Sequence, residues 1–224
     1  MINIQQYGGA GVFKWDKNYL FRVLTEGKNA PIKDSNIAAA FRQIDRINFT
    51  PERFRSDAYQ DLDLEIGYGE KFTRPTVVAQ MVTLLEPKLG GKYLDIGTGT
   101  GYFACLLGFI AGSEGIVYSI ERVQWLWEEA RKNADKYKGK MNLKFLFRDG
   151  SEGLLNQAPF DGIHISFAFE EIPNEIKMQL KIGAKLVGPT TDYNLRVITR
   201  LEEDHFEEEI TPGFMFDTGK EGVA

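Results

Sequence analysis

A doubly wound α/β sheet is the fold this sequence predicts: mostly parallel, with helices on both faces and an antiparallel hairpin at its C-terminal end. Three observations predict it. From Lys92 onward, short apolar strands alternate with helices over short links. A glycine-rich turn, Gly97-Thr98-Gly99-Thr100-Gly101, joins the first of those strands to the first of those helices. The last two strands flank Glu202-Glu203-Asp204, which reads as a hairpin turn.

The elements follow in order. Residues 1–17 hold Tyr7-Gly8-Gly9 and Gly11 with little periodicity and read as an N-terminal extension. Leu20, Phe21, Val23 and Leu24 form one apolar helical face, and Ile37, Phe41 and Ile44 form another, with Asp34 or Ser35 as its cap. Residues 48–54 read as a loop with one short turn, Pro51 suiting a first helical position. Residues 61–74 read as a further loop, with three alternating apolar residues and a Gly67-Tyr68-Gly69 turn. Pro75 opens a helix through Val77, Val78, Met81, Leu84 and Leu85 that stops near Pro87. Beyond it, strands are expected at 93–96, 116–120, 143–147, 162–165, 184–187, 195–201 and 206–210. Helices are expected at 100–110, 123–137 and 173–180.

A chain of 224 residues suits one large α/β domain with a sizeable core. The formal net charge of −5 counts against general nucleic-acid binding, which needs a basic surface to replace phosphate counterions. It points to a small-molecule or protein partner. Cys105 is the only cysteine, so neither an intramolecular disulfide nor a multi-cysteine metal site can form. Flanked by Ala104, Leu106 and Leu107, it reads as a small buried hydrophobe. No Asp, Glu or His spacing suits a metal. The absence of a basic-then-apolar leader or a membrane-length apolar run gives the expectation of a cytoplasmic protein with no membrane association.

The glycine turn carries most of the chemistry. Its spacing is G-x-G-x-G, and Tyr102 stands where a dinucleotide fold needs a third small residue. No Gly-Lys-Ser/Thr follows, which excludes a phosphate loop of the nucleotide-triphosphate type. Asp95, two residues before Gly97, suits a cationic ligand better than a pyrophosphate. The ligand these features imply is S-adenosylmethionine, bound by Asp95, Gly97, Thr98, Gly99 and Gly101. Glu121 and Arg122 end the second strand, where a carboxylate can accept from both ribose hydroxyls. Asp149-Gly150 ends the third, where an acid and a flexible backbone can meet the adenine edge; the alternative is an ordinary Asp-Gly turn. Neither histidine reads as catalytic: His164 lies within a strand and His205 in the acidic hairpin. Trp125 and Trp127 read mainly as packing, and Glu207-Glu208-Glu209 as a solvated face.

Together these residues resemble the protein-L-isoaspartate O-methyltransferase family over about Leu20 to Leu201. Ile44-Asp45-Arg46-Ile47-Asn48-Phe49-Thr50-Pro51 and Ala58-Tyr59-Gln60-Asp61 carry the likeness in the N-terminal part. Ile66-Gly67-Tyr68-Gly69-Glu70-Lys71-Phe72-Thr73-Arg74-Pro75 is similar to the family's substrate loop. Asp149-Gly150, Pro159-Phe160-Asp161, Ile172-Pro173 and Gln179-Leu180-Lys181-Ile182-Gly183 match in order and spacing. The departures fall at the acceptor end. Glu70-Lys71 replaces the usual Gln-Thr, Thr73 replaces a serine, and Ser166-Phe167-Ala168-Phe169 replaces a run of small residues. The end of the chain also lacks the usual Phe-Val-Pro.

The resemblance implies a Rossmann-like S-adenosylmethionine-dependent methyltransferase fold in three parts: the extension 1–17, a helical region 18–90 with the substrate loop, and a core 91–224 with its hairpin. It implies esterification of the α-carboxylate of L-isoaspartyl residues in damaged proteins. Thr73 is the candidate catalytic residue, holding the acceptor carboxylate, unless its hydroxyl caps the following helix. Glu70, Phe72, Phe167 and Ala168 are expected beside it in the substrate site, with protein or peptide as partner and the enzyme a monomer. The departures keep a different acceptor open, another peptide carboxylate or a small molecule. A non-catalytic cofactor-binding module is the reading from a different class.

Overall fold

The computed structural model describes residues 14–220 and 222–224, so most of the expected N-terminal extension lies outside the described residues. Helix α1 (Lys17–Thr25) begins at Asp16, whose side chain accepts from the Tyr19 amide at 2.7 Å. Helix α2 (Ser35–Gln43) begins at Asp34, which accepts from the amides of Asn36 and Ile37. Two 3-10 turns follow, Arg46–Phe49 and Glu52–Asp57, where the sequence suggested one. Pro51 caps the second rather than opening it.

Residues 61–74 contain more than a loop. Strand β1 (Leu64–Gly67) pairs antiparallel with β2 (Glu70–Phe72). The turn between them takes positive φ at Gly67, Tyr68 and Gly69 in succession, which draws the chain back sharply enough to pair such short strands. Pro75 opens α3 (Pro75–Leu85), as its fixed φ and missing N–H allow.

The core alternates β3 (Lys92–Ile96), α4 (Tyr102–Ala111), β4 (Ile116–Glu121), α5 (Gln124–Ala134), β5 (Leu143–Phe147), β6 (Phe160–Ile165), α6 (Asn174–Lys177), β7 (Leu180–Thr190), β8 (Asn194–Arg200) and β9 (Phe206–Pro212). The seven strands lie in the order β5-β4-β3-β6-β7-β8-β9. Strands β5 through β7 are mutually parallel, whereas β8 and β9 run antiparallel to their neighbours. The helix expected over 173–180 is a single turn, α6. The buried Gln179 side chain stops it, accepting from the Leu154 amide and donating to the Glu152 and Glu175 carbonyls. Leu180 then starts β7, which is correspondingly longer than expected.

One apolar cluster gathers Leu20, Phe41, Val82, Leu106 and Leu126 from α1 to α5, and a second gathers Leu94, Ile96, Ile163, Ile176 and Leu186. Alternation along β3 sends Leu94 and Ile96 into the second cluster and Asp95 to the opposite face, toward α4. After β9 the chain turns back across the sheet as a tail. There the Ala168 amide donates to Asp217 O and the Gly219 amide donates to Ala168 O.

Candidate active site

A cavity of about 510 Å³ opens at the carboxyl ends of β3, β4 and β6, where the order of the parallel strands reverses. The glycine turn forms its floor, the β1–β2 hairpin and the start of α3 form one wall, and tail residues 213–220 close it from above. Gly97, Thr98, Gly99, Glu121, Arg122, Asp149 and Gly150 line it, as do Glu70, Phe72, Thr73, Phe167 and Ala168. Thus one cavity collects nearly every candidate residue.

The three glycines have different duties. A Cβ on Gly97 would lie 1.9 Å from Ser166 Oγ, and one on Gly101 would press on Ala130 of α5. Those two are required by packing. At Gly99 the nearest atom to a Cβ is Ile66 Cδ1 at 3.4 Å, across the cavity, so this glycine keeps the space open. Gly101 is otherwise sealed against α5 and is absent from the cavity lining.

Asp95 is placed differently from the direct ligand contact the sequence suggested. It is fully buried and does not line the cavity. Its Oδ1 lies 2.7 Å from His164 Nδ1, and its Oδ2 accepts from Ser119 Oγ at 2.7 Å. The reason is strand register: Ser119 and His164 are its direct neighbours on β4 and β6. Ser119 Oγ in turn lies 2.6 Å from Thr98 Oγ1, so the row ends in the glycine turn. His164, for which the strand pattern suggests no role in chemistry, lines the cavity.

Glu121 receives three backbone N–H groups, from Gly99, Arg122 and Val123. Burial nevertheless raises its carboxyl above the ordinary value. Asp149 accepts from the amides of Ser151 and Gly222. Burial works to raise it, but these amides outweigh burial and hold it below its ordinary value. Both carboxylates are therefore pre-oriented acceptors at the tips of β4 and β5. The Thr100 hydroxyl, buried at the cavity edge without a partner, adds an unfilled polar position. A cavity of this size, an open glycine turn and two oriented carboxylates fit an adenosine-bearing cofactor. Among the described residues no group of His, Cys, Asp and Glu could hold a metal ion.

At the hairpin end, Thr73 lines the cavity and its hydroxyl makes no hydrogen bond among the described residues. It does not cap α3: Arg74 occupies that position, without a side-chain cap bond. Glu70 and Lys71 reach the tail, where Lys220 Nζ lies 3.0 Å from Glu70 and Asp217 lies 2.9 Å from Lys71 Nζ. Phe167 and Phe169 form a tilted pair 5.0 Å apart. A side chain at Gly219 would strike the Phe167 ring, so the tail lies directly on that aromatic platform. Phe72 is held from behind by Arg46, whose guanidinium is 3.7 Å from the ring centroid and whose Nε donates to Ala58 O. Burial lowers the Arg46 pKa to about 10. An arginine in sequence reads as surface, so nothing local signalled this one.

Trp125 lies half exposed near Tyr68, their ring centroids 6.3 Å apart, and neither lines the cavity. Cys105 is fully buried, and burial raises its thiol. No helix among the described residues is long and apolar enough to cross a membrane.

The sheet order and this cavity define a Rossmann-like methyltransferase. Comparisons with known proteins narrow that class. The family described as protein-L-isoaspartate(D-aspartate) O-methyltransferase matches residues 16–216. A protein-L-isoaspartate O-methyltransferase of Methanothrix thermoacetophila is 35% identical over 188 residues, 83% of this chain and 89% of that protein. Protein-L-isoaspartate O-methyltransferase 1 of Archaeoglobus fulgidus is 40% identical over 164 residues, 72% of this chain and 75% of that protein. A solved protein-L-isoaspartate O-methyltransferase superposes with TM-score 0.79 at 24% identity, covering 93% of this chain and 67% of its own. A Plasmodium falciparum structure assigned to the same enzyme class, in complex with S-adenosyl-L-homocysteine, gives 0.77 at 22% identity, covering 91% and 97%. This chain belongs to the protein-L-isoaspartate O-methyltransferase family, an S-adenosylmethionine-dependent class.

Proposed function

We propose that the chain esterifies the α-carboxylate of L-isoaspartyl residues in proteins, with the cofactor over the glycine turn and the peptide between hairpin and tail. The observation that carries this reading is the Thr73 hydroxyl, unpartnered in the same cavity as Gly99 and Glu121. Glu121 and Arg122 serve the ribose end, Asp149 and Gly150 the adenine edge, and Gly97, Thr98 and Gly99 the backbone between. Asp95 acts from behind the turn.

Bound S-adenosylmethionine supplies an electrophilic methyl group on a sulfonium. The acceptor carboxylate is already ionised near neutral pH, so no strong base is required. What the protein must supply is alignment, worth about 7–11 kcal/mol of barrier where it is complete. Thr73 donates to one carboxylate oxygen and so fixes the direction of the other. Phe72, Phe167 and Ala168 shape an apolar slot, and Glu70 tethers the tail that closes it. The ester product can close to a succinimide when the neighbouring backbone amide nitrogen attacks and methanol leaves; water then reopens the ring partly to normal aspartate. We take the working form as a cytoplasmic monomer acting on protein or peptide, independent of nucleic acid and membrane.

The test is transfer of labelled methyl to an isoaspartyl peptide and to the matching aspartyl peptide. Base-labile label on the isoaspartyl peptide alone is the expected result. No label, with cofactor bound, would overturn the acceptor and favour a different carboxylate, as Phe167 and Phe169 in the slot would then suggest.

A further inference from the structure

We propose that His164 is a cofactor-binding residue: its Nε2 accepts a hydrogen bond from the ammonium group of the cofactor's amino acid end. The inference rests on the S-adenosylmethionine reading above.

Asp95 offers only acceptors, so the 2.7 Å contact requires the proton on His164 Nδ1. In that tautomer Nε2 is the ring's acceptor, the orientation that a carboxylate hydrogen-bonded to Nδ1 sets. Phe103 stacks on the ring at 3.5 Å between centroids and 7° between planes, which fixes its direction. His164 is almost wholly buried, yet it borders the cavity, and its Nε2 has no hydrogen-bond partner among the described residues.

Few acceptors in the cavity are open to the cofactor's amino acid end. The cofactor's ammonium needs one, and the cavity's carboxylates are already engaged. Asp63 pairs with Arg74, Glu70 with Lys220, and Asp217 with Lys71. Glu121 and Asp149, oriented by backbone amides at the β4 and β5 tips, are assigned above to the ribose and adenine ends. Only Glu170 at the exposed rim lacks such a partner among the described residues. Inside the cavity, His164 Nε2 is the unfilled side-chain nitrogen acceptor.

With adenine at the β5 tip and ribose at the β4 tip, the rest of the cofactor must extend past β3 toward β6. His164 lies on β6, beside Asp95 on β3. Asp95 thereby acts on the ligand at one remove, its negative charge strengthening the acceptor that faces the cavity.

The chain has two histidines, and His205 lies in the exposed β8–β9 turn, so the imidazole nitrogens can be followed individually in the wild-type protein. The experiment titrates histidine-labelled protein with S-adenosyl-L-homocysteine, and separately with 5′-methylthioadenosine, which lacks the amino acid end. The expected result is a shift of the His164 Nε2 resonance with the first ligand and none with the second. An unmoved Nε2, or equal movement with both, overturns the proposal. Calorimetry on His164→Gln adds the energetic test. Affinity for S-adenosyl-L-homocysteine should fall about tenfold to a hundredfold, while that for 5′-methylthioadenosine changes less than about twofold. Equal loss for both would make His164 a packing residue. Should the variant fail to fold, the wild-type spectra decide. Failure of S-adenosyl-L-homocysteine to bind wild type at all would instead sink the cofactor reading itself.

Discussion

The two halves of the cavity are built by different means. The cofactor half rests on backbone geometry and a buried polar row: Thr98, Ser119, Asp95 and His164 cross three neighbouring strands under the glycine turn. The acceptor half is assembled from segments about 150 residues apart, hairpin and tail, joined by the Glu70–Lys220 and Lys71–Asp217 pairs at the surface. Exposed pairs of this kind contribute about 0–1 kcal/mol each and weaken in salt. The first half is therefore rigid by construction; in the second, backbone bonds at Ala168 hold the tail to the core, and the exposed pairs add only a weak link from tail to hairpin.

The comparison is broken most severely at Gly97. Gly97→Ala places a methyl against Ser166 at a residue with φ of 93°. It should abolish measurable cofactor binding in calorimetry and lower Tm by about 3–10 °C from backbone strain alone. Thr73→Val tests the other half: the turnover number should fall about 10–100-fold while cofactor affinity stays within about twofold. Full activity in that variant would remove Thr73 from the reaction.

Glu121→Gln should weaken cofactor binding about tenfold and also change its pH dependence. Burial raises the Glu121 carboxyl, so the charged acceptor is present above that raised value and lost as pH falls through it. Wild-type affinity should therefore begin to drop at higher pH than an ordinary glutamate predicts. The Gln variant should show that part of the profile flattened. The smallest effect belongs to the clasp. Glu70→Gln should change the peptide KM by only about two- to threefold and reduce its sensitivity to salt between 50 and 300 mM, both taken as rough working values. A salt response identical to wild type would show that the Glu70–Lys220 pair does not govern access.

What was legible in the sequence divides along the same line. The glycine turn, the strands and the final hairpin announce themselves because each depends on residues adjacent in the chain. The β1–β2 pairing did not, because strands of four and three residues carry too little alternation to separate from a loop. Helix α6 was overextended because the Gln179 bonds that end it are tertiary. The closeness of Asp95 to the glycines suggests a direct ligand contact. Its position one step from Leu94 and Ile96 already sends its side chain to the other face of the sheet. The unusual Glu70-Lys71 became intelligible only with Asp217 and Lys220 beside it, and nothing in the intervening 145 residues indicates that meeting.

The tail also gives the cavity a place in time. Its floor is complete once β6 has joined β3, but its roof is written into residues 213–220, after every strand of the sheet. During synthesis, a chain whose sheet is largely formed still presents an open, aromatic-lined trough at Phe167 and Phe169 until that last stretch emerges. The apolar surface at Phe167 and Phe169 is thus uncovered in the nascent molecule until residues 213–220 lie across it.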